Sequence, residues 1–187
     1  MKRRSALLLT CGALVLLAAF AANPVFAGQE AYTRYNIHAF QNKRDLKASY
    51  ANWTDPPNGH VLIPMNTPIT TESSRSGFII HTRDGRTVYF DYDPRNMNNL
   101  SVVDYIRRIT SPTPVSMDGF STIDRDGIKQ GKALVGMSKN GVMAALGYPA
   151  AHRTPSTDSN EWTYWRSRFT TLVVVFDAQG KVVTIRQ

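Results

Sequence analysis

The pattern of hydrophobic and polar residues changes several times along the chain. It begins with a nearly continuous apolar run close to the start. Residues 6–22 are apolar except at 10–12, and the basic residues 2–4 precede them. The run ends at Pro24 and at small side chains that include Ala27. This order is typical of a secretory signal peptide, which predicts export and cleavage after residue 27. A retained membrane anchor is the alternative, because the run reaches the lower length limit of a spanning helix.

Alternation with a period of two dominates the next part of the chain and predicts β-strands. The alternating or β-rich segments are residues 31–40, 46–53 and 60–64. Residues 69–72 continue the third segment after a bend. The front of the exported chain is therefore predicted to be rich in β-structure.

A hairpin and then a helix are predicted next. Residues 77–82 and 86–91 are rich in β-branched and aromatic side chains, and an Asp-Gly pair stands between them at 84–85. Glycine takes the positive φ that a tight turn needs, so the pattern predicts a β-hairpin. Near residues 101–110 the spacing becomes helical, and Ser101 is a suitable N-cap for a short helix.

The last third combines helical and strand patterns. Residues 122–132 have the character of a short helix or a turn. A second helix is predicted after Ser138, a good N-cap, and Gly147 and Pro149 mark its end. Three further strands are predicted at residues 161–167, 170–176 and 182–185.

Together these elements predict an α+β fold with a break near the two prolines at 112–114. The expected organisation is a signal peptide over residues 1–27, a β-rich region over 28–114, and a final domain over 115–187. The β-rich region either forms its own small domain or adds strands to the sheet of the final domain.

Charge and cysteine content narrow the classes of partner. The full chain has a net charge of +8, and removal of residues 2–4 leaves 19 basic and 14 acidic residues, a net charge of +5. This balance suits an anionic surface such as lipid head groups as well as ordinary solubility. Export argues against a nucleic-acid partner. Cys11 is the single cysteine and lies in the apolar run, so the exported chain is predicted to contain no thiol or disulfide.

Few residues predict catalysis or metal binding. No two of the four histidines lie three or four residues apart, so the sequence predicts neither a metal site nor a cofactor. His81 with Asp91 or Asp93 would suit the acid–base chemistry of a hydrolase. A cross-strand surface pair explains the same residues and is favoured. The chain is accordingly predicted not to be an enzyme, with an envelope hydrolase as the alternative.

Aromatic and arginine residues near position 165 are the candidates for partner binding, because such side chains dominate binding hot spots. The candidates are Trp162, Tyr164, Trp165, Arg166 and Arg168. In a strand, Trp162 and Tyr164 face one side and Trp165 the other. Core packing is the competing explanation for these aromatic residues.

Several motifs in the last third together resemble one known family. They are a Gly-Met-Ser helix cap at 136–138, Leu-Gly-Tyr-Pro at 146–149, Trp-Thr-Tyr at 162–164, and the hairpin Phe-Asp-Ala-Gln-Gly-Lys-Val at 176–182. Their order and spacing resemble the SmpA/OmlA (BamE-type) domain. The resemblance covers roughly residues 120–187. Members of that family are small proteins of the Gram-negative envelope, and the type member is a lipoprotein that assists outer-membrane protein assembly.

The resemblance implies a fold of two helices packed on a three-stranded antiparallel meander, similar to the repeats of β-lactamase inhibitor proteins. It also implies a periplasmic binding or scaffolding factor, associated with the outer membrane, that acts in outer-membrane assembly or envelope integrity. Envelope or outer-membrane proteins are the expected partners, with anionic lipid as a further candidate. An inhibitor-like protein that blocks another protein is a third possibility. The chain departs from the type member because it lacks a suitable lipidation cysteine and carries the additional β-rich region.

Overall fold

A computed structural model describes residues 28, 30–57 and 59–187. The predicted signal peptide, residues 1–27, lies outside these described residues. Within them, no helix combines the length and the apolar character needed to cross a membrane.

The described chain is mostly β-structure. Its strands are β1 (Ala31–Thr33), β2 (Ile37–Asn42), β3 (Asp45–Ser49), β4 (His60–Ile63), β5 (Pro68–Ser74), β6 (Gly77–Thr82), β7 (Thr87–Asp91), β8 (Thr110–Ser111), β9 (Glu161–Trp165), β10 (Thr171–Phe176) and β11 (Val182–Arg186). The helices are α1 (Val102–Ile109), α2 (Thr122–Gln130) and α3 (Lys139–Leu146), and a 3₁₀ turn spans Pro94–Met97.

The larger sheet has eight strands in the order β4-β2-β3-β7-β6-β5-β1-β8. All neighbours are antiparallel except β3 and β7, which run parallel. The predicted hairpin is confirmed as β6 and β7, and Gly85 in its turn has a φ of +88°.

This sheet curls until its two ends meet. The predicted strand 31–40 is broken into β1 and β2, and the segment 60–74 is likewise bent into β4 and β5. These two bent segments pair along both halves, with Ala31 opposite Ile69 and Ile37 opposite Ile63. Hydrogen bonds from Thr33 N to Thr67 O (3.0 Å) and from Asn66 N to Thr33 O (2.8 Å) continue the pairing across the bend. Curling removes long free edges from the sheet.

One core fills the inside of the curled sheet. Phe78 and Phe90 are buried and stack with ring centroids 4.4 Å apart. Helix α1 contributes the buried side chains of Tyr105, Ile106 and Ile109 to this core. The helix begins where sequence predicted, since the Ser101 side chain accepts a hydrogen bond from Asp104 N at 3.1 Å.

A second core lies under the smaller sheet, whose strand order is β11-β10-β9. Side chains from α2, α3 and these strands meet in it, among them Ile128, Val142, Trp162 and Val174, together with Met137 from the loop between the two helices. Helix α3 begins after Ser138 and ends at Gly147 as the sequence predicted. Residues 122–130 are helical, which decides between the two interpretations of that segment.

The predicted fold class was wrong. A fold of two helices on a three-stranded meander, with a β-rich region in front, does not describe this molecule, which is mostly β and dominated by the eight-stranded mixed sheet. The error has a physical cause. The parallel pairing of β3 with β7 and the pairing of two bent segments depend on contacts between residues far apart in sequence, and local patterning carries no information on such pairing.

Candidate functional site

Two histidines from neighbouring strands form a nearly coplanar, edge-to-edge hydrogen-bonded pair at the junction between the two sheets. His38 on β2 is fully buried, and His60 on β4 is exposed at its edge. Their ring centroids are 5.1 Å apart, with His38 Nδ1 2.9 Å from His60 Nε2. On its other side, His38 Nε2 lies 2.9 Å from the carbonyl oxygen of Ala145.

This arrangement fixes the tautomers of the pair. A carbonyl oxygen only accepts, so His38 Nε2 carries the proton and donates to Ala145, which leaves Nδ1 of the neutral ring as an acceptor. His60 must then donate from Nε2, and its Nδ1 remains an acceptor. Burial lowers the pKa of His38 to about 4, against a raising effect of the bond to Ala145. Partial burial of its ring also lowers the pKa of His60, against a raising effect of Asp55, and Lys132 lowers it further.

Helix α3 presents its carboxyl end to these strands. The last carbonyls of a helix have no partner within it, and here other parts of the chain supply the donors. Asn36 N donates to Ala144 O (2.8 Å), Asn36 Nδ2 and His38 Nε2 approach Ala145 O, and Asn52 Nδ2 donates to Leu146 O. The Tyr164 hydroxyl donates to Gly147 O at 3.2 Å. Polar side chains of the curled sheet are therefore fixed against the helix.

A cleft of about 500 Å³ opens beside the histidine pair. One part of its wall is apolar and comes from Ala133, Leu146, Leu172 and Ile185. The remaining wall is polar or backbone and comes from Thr54, Asp55, His60, Gln130, Gly131, Lys132, Arg166 and Gln187. Both the curled sheet and the smaller sheet thus contribute residues to one cleft.

Two of the charged side chains in the cleft form an ion pair, and a third has no partner of opposite charge. Arg166 Nη2 lies 2.5 Å from Asp55 Oδ2, and Arg166 Nη1 donates to Gln187 Oε1 at 2.9 Å. Lys132 is exposed and forms no ion pair or hydrogen bond through its ammonium group within the part of the chain that the structure describes. Among the charged side chains that line the cleft, Asp55 and Arg166 neutralise each other, which leaves Lys132 as the one unpaired cation.

The candidate partner-binding residues separate into buried and exposed groups. Trp162 and Tyr164 are each 1% exposed and belong to the core under the smaller sheet, so their side chains present no surface to a partner. Trp165 faces the other way and is half-buried, stacked beside His152 with ring centroids 6.2 Å apart. Arg166 lines the cleft. The structure therefore does not bring all five candidates to one surface.

Arg168 lies at the tip of the hairpin between β9 and β10, beside a residue that sequence analysis did not select. Phe169 is 84% exposed, more than any other large hydrophobic residue in the described ranges. The Arg168 guanidinium lies 5.3 Å from the centre of the Phe169 ring. Ser167 and Thr170 face each other across the turn with hydroxyl oxygens 2.8 Å apart. The tip thus presents an aromatic ring beside a cation.

The residues of the hydrolase alternative do not converge. His81, at the turn end of the hairpin formed by β6 and β7, lies 3.3 Å from Thr87 Oγ1 on β7 and 3.3 Å from Glu72 Oε2 on the neighbouring β5. Asp91 lies at the other end opposite Gly77, and Asp93 caps the 3₁₀ turn and pairs with Arg95. No group of three or more potential metal ligands occurs among the described residues.

Sequence analysis missed the histidine pair and the cleft. His38 and His60 are 22 residues apart, and only the pairing of β2 with β4 places them side by side. A weak signal was present, since His38 occupies a buried position in an alternating segment and a buried histidine needs hydrogen-bond partners. Phe169 was detectable as an aromatic residue next to an arginine in a predicted turn.

Comparison with known proteins gives no further assignment, since no family model, no curated protein and no solved structure matches the chain.

Proposed function

We propose that the chain is an exported, non-catalytic binding protein of the bacterial envelope that holds a partner protein at the outer membrane. The observation that carries the proposal is the exposed Phe169 beside Arg168 at a hairpin tip. Burial of this ring against a partner would gain hydrophobic free energy in proportion to the apolar area removed from water. The signal-peptide pattern and the resemblance of residues 120–187 to the SmpA/OmlA (BamE-type) domain favour the periplasm and outer membrane as the place of action.

Several observations favour binding over catalysis. The histidine and aspartates of the hydrolase alternative lie at opposite ends of a hairpin. Aromatic and arginine side chains, by contrast, are enriched at the centres of protein interfaces. Arg168 and the net charge of +5 for the exported chain also suit an anionic lipid surface. An inhibitor-like protein would use the same tip and differ only in its partner.

The test is site-specific photo-crosslinking in the envelope of a Gram-negative host. A photoreactive amino acid replaces Phe169 in one version and Val135, which is 62% exposed in the α2–α3 loop, in a matched control. We expect an adduct with an outer-membrane protein from position 169 and none from position 135. In binding assays with that protein, Phe169→Ser should lower affinity at least about tenfold, as loss of a hot-spot side chain does.

Other results would contradict the assignment. Equal yields of the same adduct from positions 169 and 135 would show that crosslinking reports nonspecific encounters and not binding at the tip. If position 169 gives adducts only with lipid, and Arg168→Gln abolishes them, the tip binds a membrane surface and not a partner protein. Full retention of affinity in Phe169→Ser would exclude the tip as the binding surface.

A further inference from the structure

The cleft beside the histidine pair has the size and lining of a site for a small ligand. Its volume of about 500 Å³ falls within the range of roughly 300–1,000 Å³ that is usual for such sites. Ala133, Leu172 and Ile185 provide an apolar wall, while His60 and Lys132 lie on the polar side. A ligand that suits both sides must itself be amphiphilic.

The charged side chains on the polar side of the cleft favour a ligand with a negative charge. Asp55 is occupied by Arg166, and Lys132 has no acidic partner in the described ranges. An unpaired ammonium group attracts an anion, and the neighbouring apolar wall lowers the local dielectric on one side of that contact. The same group gives a neutral ligand of equal shape no comparable advantage.

The histidine pair adds a second cation without any rearrangement. His60 donates from Nε2 to His38 in its neutral form and keeps that bond when Nδ1 also takes a proton. Protonated His60 would then offer Nδ1–H to a bound anion. The groups that act on His60 are His38 from β2, Asp55 from the loop before β4, and Lys132 from the loop after α2. Asp55 favours the charged form and Lys132 opposes it.

We infer that this cleft binds a small amphiphilic anion, with its apolar chain on Ala133, Leu172 and Ile185 and its negative group at Lys132. The ligand class is an organic carboxylate with a medium-length hydrocarbon chain. The site lies apart from the Phe169 tip and does not depend on the function proposed for that tip.

Calorimetric titration with decanoate tests the inference, with decanol as the uncharged probe of the same chain and both below their aggregation concentrations. Lys132→Gln should weaken decanoate binding about tenfold, which corresponds to loss of about 1.4 kcal/mol of charge attraction. Lys129→Gln is the matched control, because Lys129 is also exposed and does not line the cleft. Decanoate affinity should rise from pH 7.5 to pH 5.5, a range that extends below the usual histidine pKa because the pKa of His60 is lowered, and His60→Gln should remove that rise.

Three outcomes would overturn the inference. They are equal affinity for decanol and decanoate, equal losses in Lys132→Gln and Lys129→Gln, or no saturable decanoate binding to a wild-type protein that gives a cooperative unfolding transition. Vesicles that contain phosphatidylglycerol provide a further arm. If they bind through Phe169 with no effect of Lys132→Gln, while decanoate does not bind, a membrane surface at the tip replaces the cleft ligand. The crosslinking experiment at Phe169 does not involve Lys132. Absence of decanoate binding would therefore contradict the cleft ligand without affecting the test of partner binding at the tip.

Discussion

At the scale of single residues, Asp124 is the buried charge with the most hydrogen bonds. Its carboxylate accepts from Ser138 N (2.7 Å) and Ser138 Oγ (3.1 Å), and from Ser121 N (3.1 Å) and Ser121 Oγ (2.8 Å). Burial acts to raise the pKa of Asp124, but these hydrogen bonds outweigh it and the pKa is lowered. One carboxylate thereby fixes the amino ends of both α2 and α3.

Asp124→Asn should destabilise the protein by about 1–3 kcal/mol, because an amide nitrogen cannot accept from the backbone and leaves buried donors unpaired. Asp126→Asn is the matched control on the same helix, and its exposed side chain should change stability by no more than about 0.5 kcal/mol. Urea unfolding at pH 7 measures both variants. Equal stability of Asp124→Asn and wild type would show that the bridge contributes nothing.

At the scale of elements, the end of α2 depends on a glycine. Gly131 has a φ of +64° and donates to Ile128 O at 3.1 Å. A Cβ atom there would lie 3.0 Å from Leu62 and 3.1 Å from the His38 ring. The position therefore requires glycine for two reasons, a left-handed backbone and close approach of the helix end to the histidine pair.

Three glycine substitutions separate these reasons. Gly119→Ala meets open space without a positive φ and should be nearly neutral. Gly85→Ala has a positive φ in open space, and we expect a loss of about 1 kcal/mol from backbone strain. Gly131→Ala combines strain with the close contacts and should lose the most, about 2–3 kcal/mol. Thermal unfolding gives the order, and a Gly131→Ala loss no larger than that of Gly85→Ala would contradict the steric part.

Element boundaries were the most predictable level of this structure. Ser101 and Ser138 cap helices, Gly147 ends one, and Gly85 turns the predicted hairpin. These signals are local, because a cap or a turn is decided by residues within one turn of chain. The broken strand 31–40 was missed for the opposite reason. Its bend at residues 34–36 follows from bonds to distant partners, such as Arg34 N to Ile109 O and Asn36 N to Ala144 O.

At the scale of the whole molecule, the candidate site exists only after the chain has folded. His38 and His60 come from paired strands, Lys132 from the loop after α2, and Leu172 and Ile185 from the smaller sheet. No short motif connects these positions, so sequence reasoning could identify single aromatic or charged candidates but not the cleft. Trp162 shows the opposite problem. Tryptophan is a residue type that suits an interface, but the fold buries this one in the core, which its residue type alone does not predict.

The same junction makes the stability of the whole molecule sensitive to pH through His38. Its pKa is about 4 in the folded protein against an ordinary value of 6.5. Between these values the unfolded chain binds more protons than the folded one, so stability must fall as pH falls from 6.5 towards 4. Above pH 6.5 His38 is neutral in both states and causes no loss of stability. Between pH 6.5 and pH 4 the free energy of unfolding falls by at most about 3 kcal/mol. Protonated His38 could not accept from His60 and would place a charge in the junction.

Urea unfolding at pH 7.5 and at pH 5 measures this dependence. His38→Gln keeps an amide donor for Ala145 O but does not titrate, so it should lower stability at pH 7.5 and reduce the difference between the two pH values. His81→Gln removes a histidine from the surface of β6 instead and controls for the loss of one such residue. If both variants retain the wild-type difference, the pH dependence does not come from His38. If only His38→Gln reduces it, the buried His38 that connects the curled sheet to α3 is the group that responds to acid.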